Sequence, residues 1–224
     1  MKRRPEPEEL MEGEDQARAY AEADFTESNT LFIRLLQQLV SDTHRPLAAL
    51  DLGCGPADIV IRFLRAYPNA RCAALDGSKA MLKLAAQALS AHPELVERAQ
   101  LIQDCIPSER LPRAHYDLVL SNSLLHHLPD PQVLWETVRS AAKPGAPVLI
   151  MDLMRSASPG WVETLVETYA GSEPEVLKRD FRNSLYAAFE PAEVSAQLQT
   201  AGLECLEVAV VSDRHLAVMG YLPT

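Results

Sequence analysis

A short loop near residue 50 combines glycines and carboxylates in a spacing that can bind a small charged ligand. Residues 50–58 have the sequence LDLGCGPAD, directly after a predicted buried strand and at the start of a predicted helix. Gly53 and Gly55 let the backbone turn tightly and approach a ligand, because glycine has no Cβ. The start of the following helix offers free N–H groups. Asp51 places a carboxylate at the strand end, where a cationic amino group can dock.

The residue at the start of this helix distinguishes between two classes of cofactor. A dinucleotide site has the pattern G-x-G-x-x-G, and its third glycine would fall on Asp58. A carboxylate there would repel a pyrophosphate, whereas the ammonium and sulfonium groups of S-adenosylmethionine (SAM) tolerate it. The loop therefore favours SAM as the cofactor, with S-adenosylhomocysteine as the product, over a nicotinamide dinucleotide.

Two further carboxylates follow the next two predicted strands. Asp76 ends the second strand, where an acid is placed to accept hydrogen bonds from both ribose hydroxyls. Asp104 follows the third strand and can accept a hydrogen bond from the adenine amino group. The carboxyl ends of parallel strands border one crevice in an open α/β sheet. Asp51, Asp76 and Asp104 together therefore predict a nucleoside site at this edge of the sheet.

Alternating strands and helices are predicted to position these acids. From residue 46 onward, short apolar runs typical of buried strands alternate with amphipathic helical segments. The predicted strands cover residues 47–52, 71–75, 101–103, 116–121 and 147–152. Such alternation predicts βαβ units and a parallel sheet. Two final segments, 204–211 and 215–221, can pair as an antiparallel hairpin.

Four motifs in this region resemble those of class I SAM-dependent methyltransferases, in the group that contains the C-methyltransferases of ubiquinone and menaquinone biosynthesis. Residues 50–58 resemble the first motif of that group, and residues 74–82, ALDGSKAML, resemble the second. Residues 116–128, YDLVLSNSLLHHL, resemble its fourth-strand motif, and residues 143–146, KPGA, its Lys-Pro-Gly-Gly turn. The resemblance covers about residues 45–152 and concerns cofactor binding rather than the substrate.

The resemblance implies a Rossmann-like α/β fold, with a seven-stranded sheet of order 3-2-1-4-5-7-6, strand seven antiparallel, helices on both faces and a helical cap. It also implies cofactor contacts from the glycine loop and the strand ends: Asp51, Gly53, Gly55, Asp76, Met81, Asp104, Cys105 and Asn122. Ala57 and Ala146 stand where many members have glycine. Both residues are small, so neither departure threatens the fold.

We expect a single methyltransferase domain across the chain, built from five consecutive parts. These are a flexible tail (1–15), an N-terminal helical lid (16–45), a SAM-binding core (46–152), a helical substrate cap (153–203) and a C-terminal hairpin (204–224). The tail is expected to be flexible because it is rich in proline and glutamate.

The residues that bind the methyl acceptor carry weaker signals than the cofactor site. His126 follows the fourth strand, and its near-neutral titration suits a base or a group that orients the acceptor. A purely structural role in its loop is the alternative. Tyr20 and Phe25 are candidates for a lid, with ordinary helix packing as the alternative. Four cap side chains could bind an organic acid or a phenol, or could serve packing and surface charge: Arg155, Tyr169, Arg182 and Tyr186.

Composition and charge narrow the classes of function. The net charge of -10 argues against a protein that mainly binds phosphate backbones. No apolar run approaches the ~18–20 residues that a membrane-spanning helix needs. The four cysteines have no metal-ligand spacing. We expect a cytoplasmic monomer or homodimer that acts on a small molecule, without a metal, nucleic acid or membrane. The alternatives are a non-catalytic or repurposed SAM-binding protein and a tRNA- or protein-modifying methyltransferase.

Overall fold

The computed structural model describes residues 1–7 and 10–224. Within them, the strands form a seven-stranded sheet: β1 (Ala48–Leu52), β2 (Arg71–Asp76), β3 (Ala99–Gln103), β4 (Leu118–Asn122), β5 (Pro147–Leu153), β6 (Leu206–Val210) and β7 (His215–Tyr221). Their order is β3-β2-β1-β4-β5-β7-β6. Strands β1 to β5 are parallel, and β7 is antiparallel to both of its neighbours. The expected α/β fold, strand order and antiparallel seventh strand are confirmed.

Helices lie on both faces of this sheet, as expected. The α-helices of the described residues are α1 (Glu14–Glu22), α2 (Thr26–Leu39), α3 (Asp58–Ala66), α4 (Lys79–Ser90), α5 (Pro93–Val96), α6 (Gln132–Ala141), α7 (Pro159–Ala170), α8 (Glu175–Ala187) and α9 (Pro191–Ala201). A 3₁₀ helix, Leu125–His127, connects β4 to α6. Among the described residues, no helix combines the length and apolar character needed to cross a bilayer.

Two apolar clusters bury the two faces of the sheet. On one face, α2 and α3 contribute Phe32 and Phe63. On the other face, α6 and α9 contribute Trp135 and Leu198. Every residue of β5 is buried, which is typical of a strand that is covered on both faces. Removal of this apolar surface from water is the main force that holds the layers together.

The segment expected to form a helical lid (16–45) is divided into α1 and α2. The chain leaves the helix at Ala23, whose backbone is extended. Asp24 Oδ1 then accepts a hydrogen bond of 2.9 Å from the N–H of Thr26. Aspartate side chains that bond nearby backbone groups compete with the helix. The break lets the rings of Tyr20 and Phe25 pack with their centres 4.8 Å apart.

Residues 1–7 pack against the domain, in contrast to the flexible tail expected for residues 1–15. The Arg3 guanidinium donates hydrogen bonds to three backbone oxygens, those of Ala187, His126 and Leu128. Composition predicts disorder for such a charged, proline-rich segment. In the folded domain, however, backbone carbonyl groups that are distant in sequence come together and bind the Arg3 guanidinium. Residues 8 and 9 also fall in the expected tail and lie outside the described residues.

Truncation of a central core residue tests the packing of the sheet. Leu120 lies in β4 with no exposed surface. We expect Leu120→Ala to lower the free energy of unfolding by about 2–5 kcal/mol, because it leaves a cavity between the packed layers. Urea denaturation measures the loss. Val210 is 58% exposed, so Val210→Ala is the control and should change stability by less than about 0.5 kcal/mol. Equal losses in both variants would contradict this packing.

Candidate active site

A cavity of about 430 Å³ lies at the carboxyl ends of β1 and β4. Its wall is formed by the glycine loop, the connection between α1 and α2, the 3₁₀ helix, and helices α7 and α8. The volume is within the ~300–1,000 Å³ typical of small-molecule sites. Of the residues predicted from sequence, the wall contains Tyr20, Phe25, Asp51, Gly53, Gly55, Asn122, His126 and Tyr169.

Three alternate residues of the glycine loop have a left-handed backbone conformation. Gly53, Gly55 and Ala57 have φ angles of 73°, 51° and 73°. This conformation costs an L-residue roughly 1–2 kcal/mol, so glycine suits the first two positions and Ala57 bears strain. The N–H of Gly53 donates to the oxygen of Leu75 at 2.8 Å, which fixes the loop above β2. The turn brings Asp58, the first residue of α3, into the cavity wall.

Asp51 is a buried carboxylate without a partner among the described residues. It is only 1% exposed, and neither of its carboxylate oxygens accepts a hydrogen bond. The side-chain oxygen of Asn122, at the end of β4, is also buried and unpaired. Burial and the charge of Asp76 raise the pKa of Asp51 to about 8. Unpaired buried acceptors are costly and rare, so these side chains fit a ligand that brings N–H donors and positive charge, such as the ammonium group of SAM.

Asp76 connects the glycine loop to the end of β2. Its carboxylate accepts the N–H groups of Gly55 and Ser78, both at 2.8 Å. A carboxylate has about four acceptor positions, so two remain for the ribose hydroxyls predicted from sequence. Burial raises the pKa of Asp76 above its usual value, although the two backbone hydrogen bonds act in the opposite direction.

Besides Asp76, three predicted cofactor contacts lie outside the cavity wall. Met81 is buried against Ala17 of α1. The Asp104 carboxylate accepts hydrogen bonds from the hydroxyl of Ser108 and the backbone N–H of Cys105, so it is turned toward its own loop. Contacts of Met81, Asp104 and Cys105 with the adenosine part of the cofactor therefore remain predictions.

His126 forms a buried pair with Asp152, the penultimate residue of β5. Its Nδ1 lies 2.6 Å from Asp152 Oδ1, and its backbone N–H points to Asp152 Oδ2 at 3.4 Å. The histidine is 2% exposed and the aspartate 1%. Burial lowers the pKa of His126, but the charge and hydrogen bond of Asp152 outweigh it, so the pKa is raised overall. Donation from Nδ1–H to Asp152 leaves Nε2 of the neutral ring as an acceptor toward the cavity.

Glu6 and His127 complete the charged cluster around His126. Glu6 Oε2 lies 2.7 Å from His127 Nδ1, and Glu6 Oε1 lies 3.8 Å from His126 Nε2. One donor atom from each of these three residues lies within 4.8 Å of the others, a grouping that could also hold a metal ion. Sequence analysis missed Glu6 and His127, and it expected no metal. Asp152 lies at a strand end, as Asp51 and Asp76 do, so the same sequence signal could have identified it.

Tyr169 of α7 lines the cavity together with a cation that sequence analysis missed. The guanidinium of Arg214 lies 3.3 Å from the centre of the Tyr169 ring. The Tyr169 hydroxyl donates a hydrogen bond of 2.6 Å to Asp213. Arg214 also pairs with Glu27, whose side chain is largely exposed. One of the four predicted cap residues is therefore in the wall.

The other three cap residues are not in the wall, and their part in a cationic and aromatic pocket remains a prediction. Each has a partner elsewhere, because a charged side chain pairs with the nearest opposite charge that the fold provides. Arg155 is buried and pairs with Glu190 and Glu193 at the start of α9. Arg182 pairs with Glu163 through two hydrogen bonds of 2.8 Å on the surface. Tyr186 packs under the Arg4 guanidinium, 4.7 Å from its ring centre.

The raised pKa of Asp51 predicts how stability depends on pH in the ligand-free protein. The folded value of about 8 exceeds the ~3.9 of an unfolded chain, so the folded state holds a proton that the unfolded state releases. This contribution to stability is complete below about pH 4 and is lost as pH rises to about 8.

We therefore expect Asp51→Asn to gain stability relative to the unmodified protein as pH rises from 5 to 8, by up to about 1.4 kcal/mol per unit. Urea denaturation at several pH values measures the free energy of unfolding of both proteins. The difference between them removes the contributions of the titratable groups that both proteins share. Glu94→Gln, on an exposed side chain of α5, is the control. Parallel curves for Asp51→Asn and the unmodified protein would contradict the raised pKa.

Comparison with known proteins agrees with this geometry. Residues 50–148 match a family described as a methyltransferase domain. Over 122 residues the chain is 32% identical to malonyl-[acyl-carrier protein] O-methyltransferase of Halalkalibacterium halodurans, a match that covers 51% of this chain and 44% of that protein. Over 176 residues it is 29% identical to ubiquinone biosynthesis O-methyltransferase of Thiobacillus denitrificans, covering 75% of this chain and 70% of that protein. The match thus spans less than half the length of the first relative.

A solved structure shares the fold over almost the whole chain. The SAM-dependent methyltransferase of Aquifex aeolicus superposes with a TM-score of 0.69 at 15% identity, covering 93% of this chain and 98% of that one. The resemblance to SAM-dependent methyltransferases is confirmed, although both relatives named above are O-methyltransferases rather than the C-methyltransferases suggested by the motifs. Residues 50–148 thus match a methyltransferase domain, and the fold of the chain is that of the solved SAM-dependent methyltransferase.

Proposed function

We propose that the protein transfers the methyl group of SAM to a hydroxyl oxygen of a small molecule, with His126 as the base. The observation that carries the proposal is the buried His126–Asp152 pair, joined at 2.6 Å, in the same cavity wall as the unpaired Asp51. Asp51 is suited to the amino-acid end of the cofactor, and His126 is suited to the acceptor.

The bound cofactor supplies an electrophilic methyl group on a positively charged sulfur. A neutral hydroxyl is a weak nucleophile, and removal of its proton during attack accelerates the transfer. His126 Nε2 is free to take this proton, because Nδ1–H is committed to Asp152. The Asp152 carboxylate holds the ring orientation and stabilises the imidazolium that forms, as an aspartate does behind other catalytic histidines. The lid residues Tyr20 and Phe25 cover the cavity and help to exclude water.

Charge in the cavity wall favours a hydroxyl over an ionised acid as the acceptor. A carboxylate has already lost its proton at neutral pH, so it does not need the His126–Asp152 pair. Acids outnumber the two arginines of the cavity wall, Arg179 and Arg214, and would repel an anion; they include Asp24, Glu27, Asp58 and Glu173. The name of one relative, ubiquinone biosynthesis O-methyltransferase, supports transfer to oxygen. A phenol or catechol of small size is the acceptor class that combines these features.

A non-catalytic SAM-binding role is the main alternative from a different class of function. Such a protein would not need an acceptor space beside the methyl group. The cavity extends from Asp51 to His126 and Tyr169, which supports an enzyme that admits a second molecule. A small-molecule acceptor is also favoured by the cavity volume of about 430 Å³, which suits a compact ligand.

Cofactor binding tests the assignment of Asp76. We expect titration calorimetry to detect SAM and S-adenosylhomocysteine but not NAD. Asp76→Ala should weaken SAM binding by at least about tenfold, because each hydrogen bond to a charged group contributes about 1.5–3 kcal/mol. Glu94→Ala, which changes an exposed acid, should keep the unmodified affinity. Unchanged binding in folded Asp76→Ala would remove the ribose assignment.

Turnover of a panel of catechols, phenols, dicarboxylates, amines and thiols tests the acceptor and the base. We expect methylation of a hydroxyl acceptor, and a roughly 10²–10⁴-fold lower kcat in His126→Asn with SAM affinity retained. Because the pKa of His126 is raised, the acidic limb of the pH–rate profile should lie above the ordinary ~6.5 of histidine. His44→Asn, on an exposed side chain, is the control. Full turnover in His126→Asn would rule out the base.

A further inference from the structure

The buried position of His126 raises the question of how a proton taken from the acceptor leaves the site. The imidazole is 2% exposed, and Asp152 behind it is 1% exposed. Methyl transfer from SAM to a hydroxyl releases one proton for each turnover. A base that keeps this proton cannot act again, so the proposed reaction requires a path from Nε2 of His126 to solvent.

The Glu6 carboxylate bridges His126 and a more exposed histidine. Its Oε1 lies 3.8 Å from His126 Nε2, and its Oε2 lies 2.7 Å from His127 Nδ1. The Glu6 side chain is 10% exposed and that of His127 is 24% exposed. The three groups therefore form a series that leads from the cavity toward solvent.

The N-terminal segment, defined here as residues 3–7, is anchored so that Glu6 is held between these rings. The Arg3 guanidinium donates to the backbone oxygens of His126 and Leu128, on the same 3₁₀ turn that carries the two histidines. The hydroxyl of Ser184 in α8 donates to Glu6 Oε1. Contacts on both sides thus fix the carboxylate relative to the base.

From this arrangement, and resting on the proposed role of His126, we propose that Glu6 carries the proton from His126 to His127 and so to solvent. The acceptor oxygen forms a bond to the methyl carbon while the carbon–sulfur bond electrons pass to sulfur, and the O–H electrons remain on oxygen as its proton passes to His126 Nε2. The imidazolium then gives a proton to Glu6 Oε1. Glu6 passes it on through His127 to water, which returns both Glu6 and His126 to their starting charges.

The electrostatics of the cluster set the starting charge of Glu6 and keep its protonated form short-lived, because the pKa of His126 is raised and that of Glu6 is lowered. Burial raises the pKa of Glu6, but the hydrogen bond and charge of His127 and the charge of His126 outweigh it, so the pKa is lowered overall and Glu6 starts as a carboxylate. The charged or titratable groups that act on His126 come from β5, from the N-terminal segment, from the same turn and from β7: Asp152, Glu6, Arg3, His127 and His215.

Glu6→Gln tests the relay, because glutamine keeps the shape of the side chain and cannot carry a proton. With catechol as acceptor, we expect kcat to fall at least about tenfold with SAM affinity unchanged, and added imidazole buffer to restore part of it. Glu6→Asp should retain more activity than Glu6→Gln. Asp15→Asn, an exposed acid at the start of α1, is the control and should turn over normally. An unchanged kcat in Glu6→Gln alongside a strongly reduced kcat in His126→Asn would overturn the relay while leaving the proposed function intact.

A spectroscopic readout keeps the proposal testable without any acceptor. In imidazole ¹⁵N spectra of the protein with bound S-adenosylhomocysteine, we expect His126 to titrate at lower pH in Glu6→Gln than in the unmodified protein, because the charge of Glu6 raises the pKa of His126. Identical titrations in the two proteins would refute the relay. Because Glu6, His126 and His127 could also ligate a metal, titration with zinc chloride completes the test. Turnover that persists with a chelator supports the relay, whereas turnover that requires zinc bound through Glu6 overturns it.

Discussion

The burial of an unpaired carboxylate at the end of β1 is the constraint on which the site depends. A charged group without partners in the protein interior is strongly disfavoured, yet Asp51 has no hydrogen-bond partner among the described residues and its pKa rises to about 8. The strained glycine loop and the Asp76 carboxylate hold the surrounding backbone in place. The fold thus maintains a deficit of donors and positive charge around Asp51, which fits the ammonium group of SAM.

The opposite side of the cavity contains a second buried acid, which has a side-chain partner where Asp51 has none. Asp152 ends β5 as Asp51 ends β1, but it is paired with His126. Two strand-end carboxylates therefore border one cavity, one without a partner and one paired with a histidine; in the proposed function the first binds the cofactor and the second supports the base. This division follows from the parallel arrangement, which directs the ends of neighbouring strands toward the same crevice.

The N-terminal segment contacts the folded domain beside the cavity. Arg3 and Glu6 contact the 3₁₀ turn and α8, and Glu6 lines the cavity. These contacts tie the N-terminal residues to the turn that carries His126 and His127.

The sequence by itself determined the fold class, because strand and helix periodicity is a local pattern, and it placed Asp51 and Asp76 at strand ends. The sheet order was implied by the motifs that resemble those of SAM-dependent methyltransferases. Only the tertiary structure decided which charged side chains pair. Arg155 lies in sequence beside the predicted cap yet pairs with Glu190 and Glu193, while Glu6 meets a histidine more than a hundred residues away. Long charged side chains have no periodic signal, and their partners are set by distances that exist only after the chain has folded.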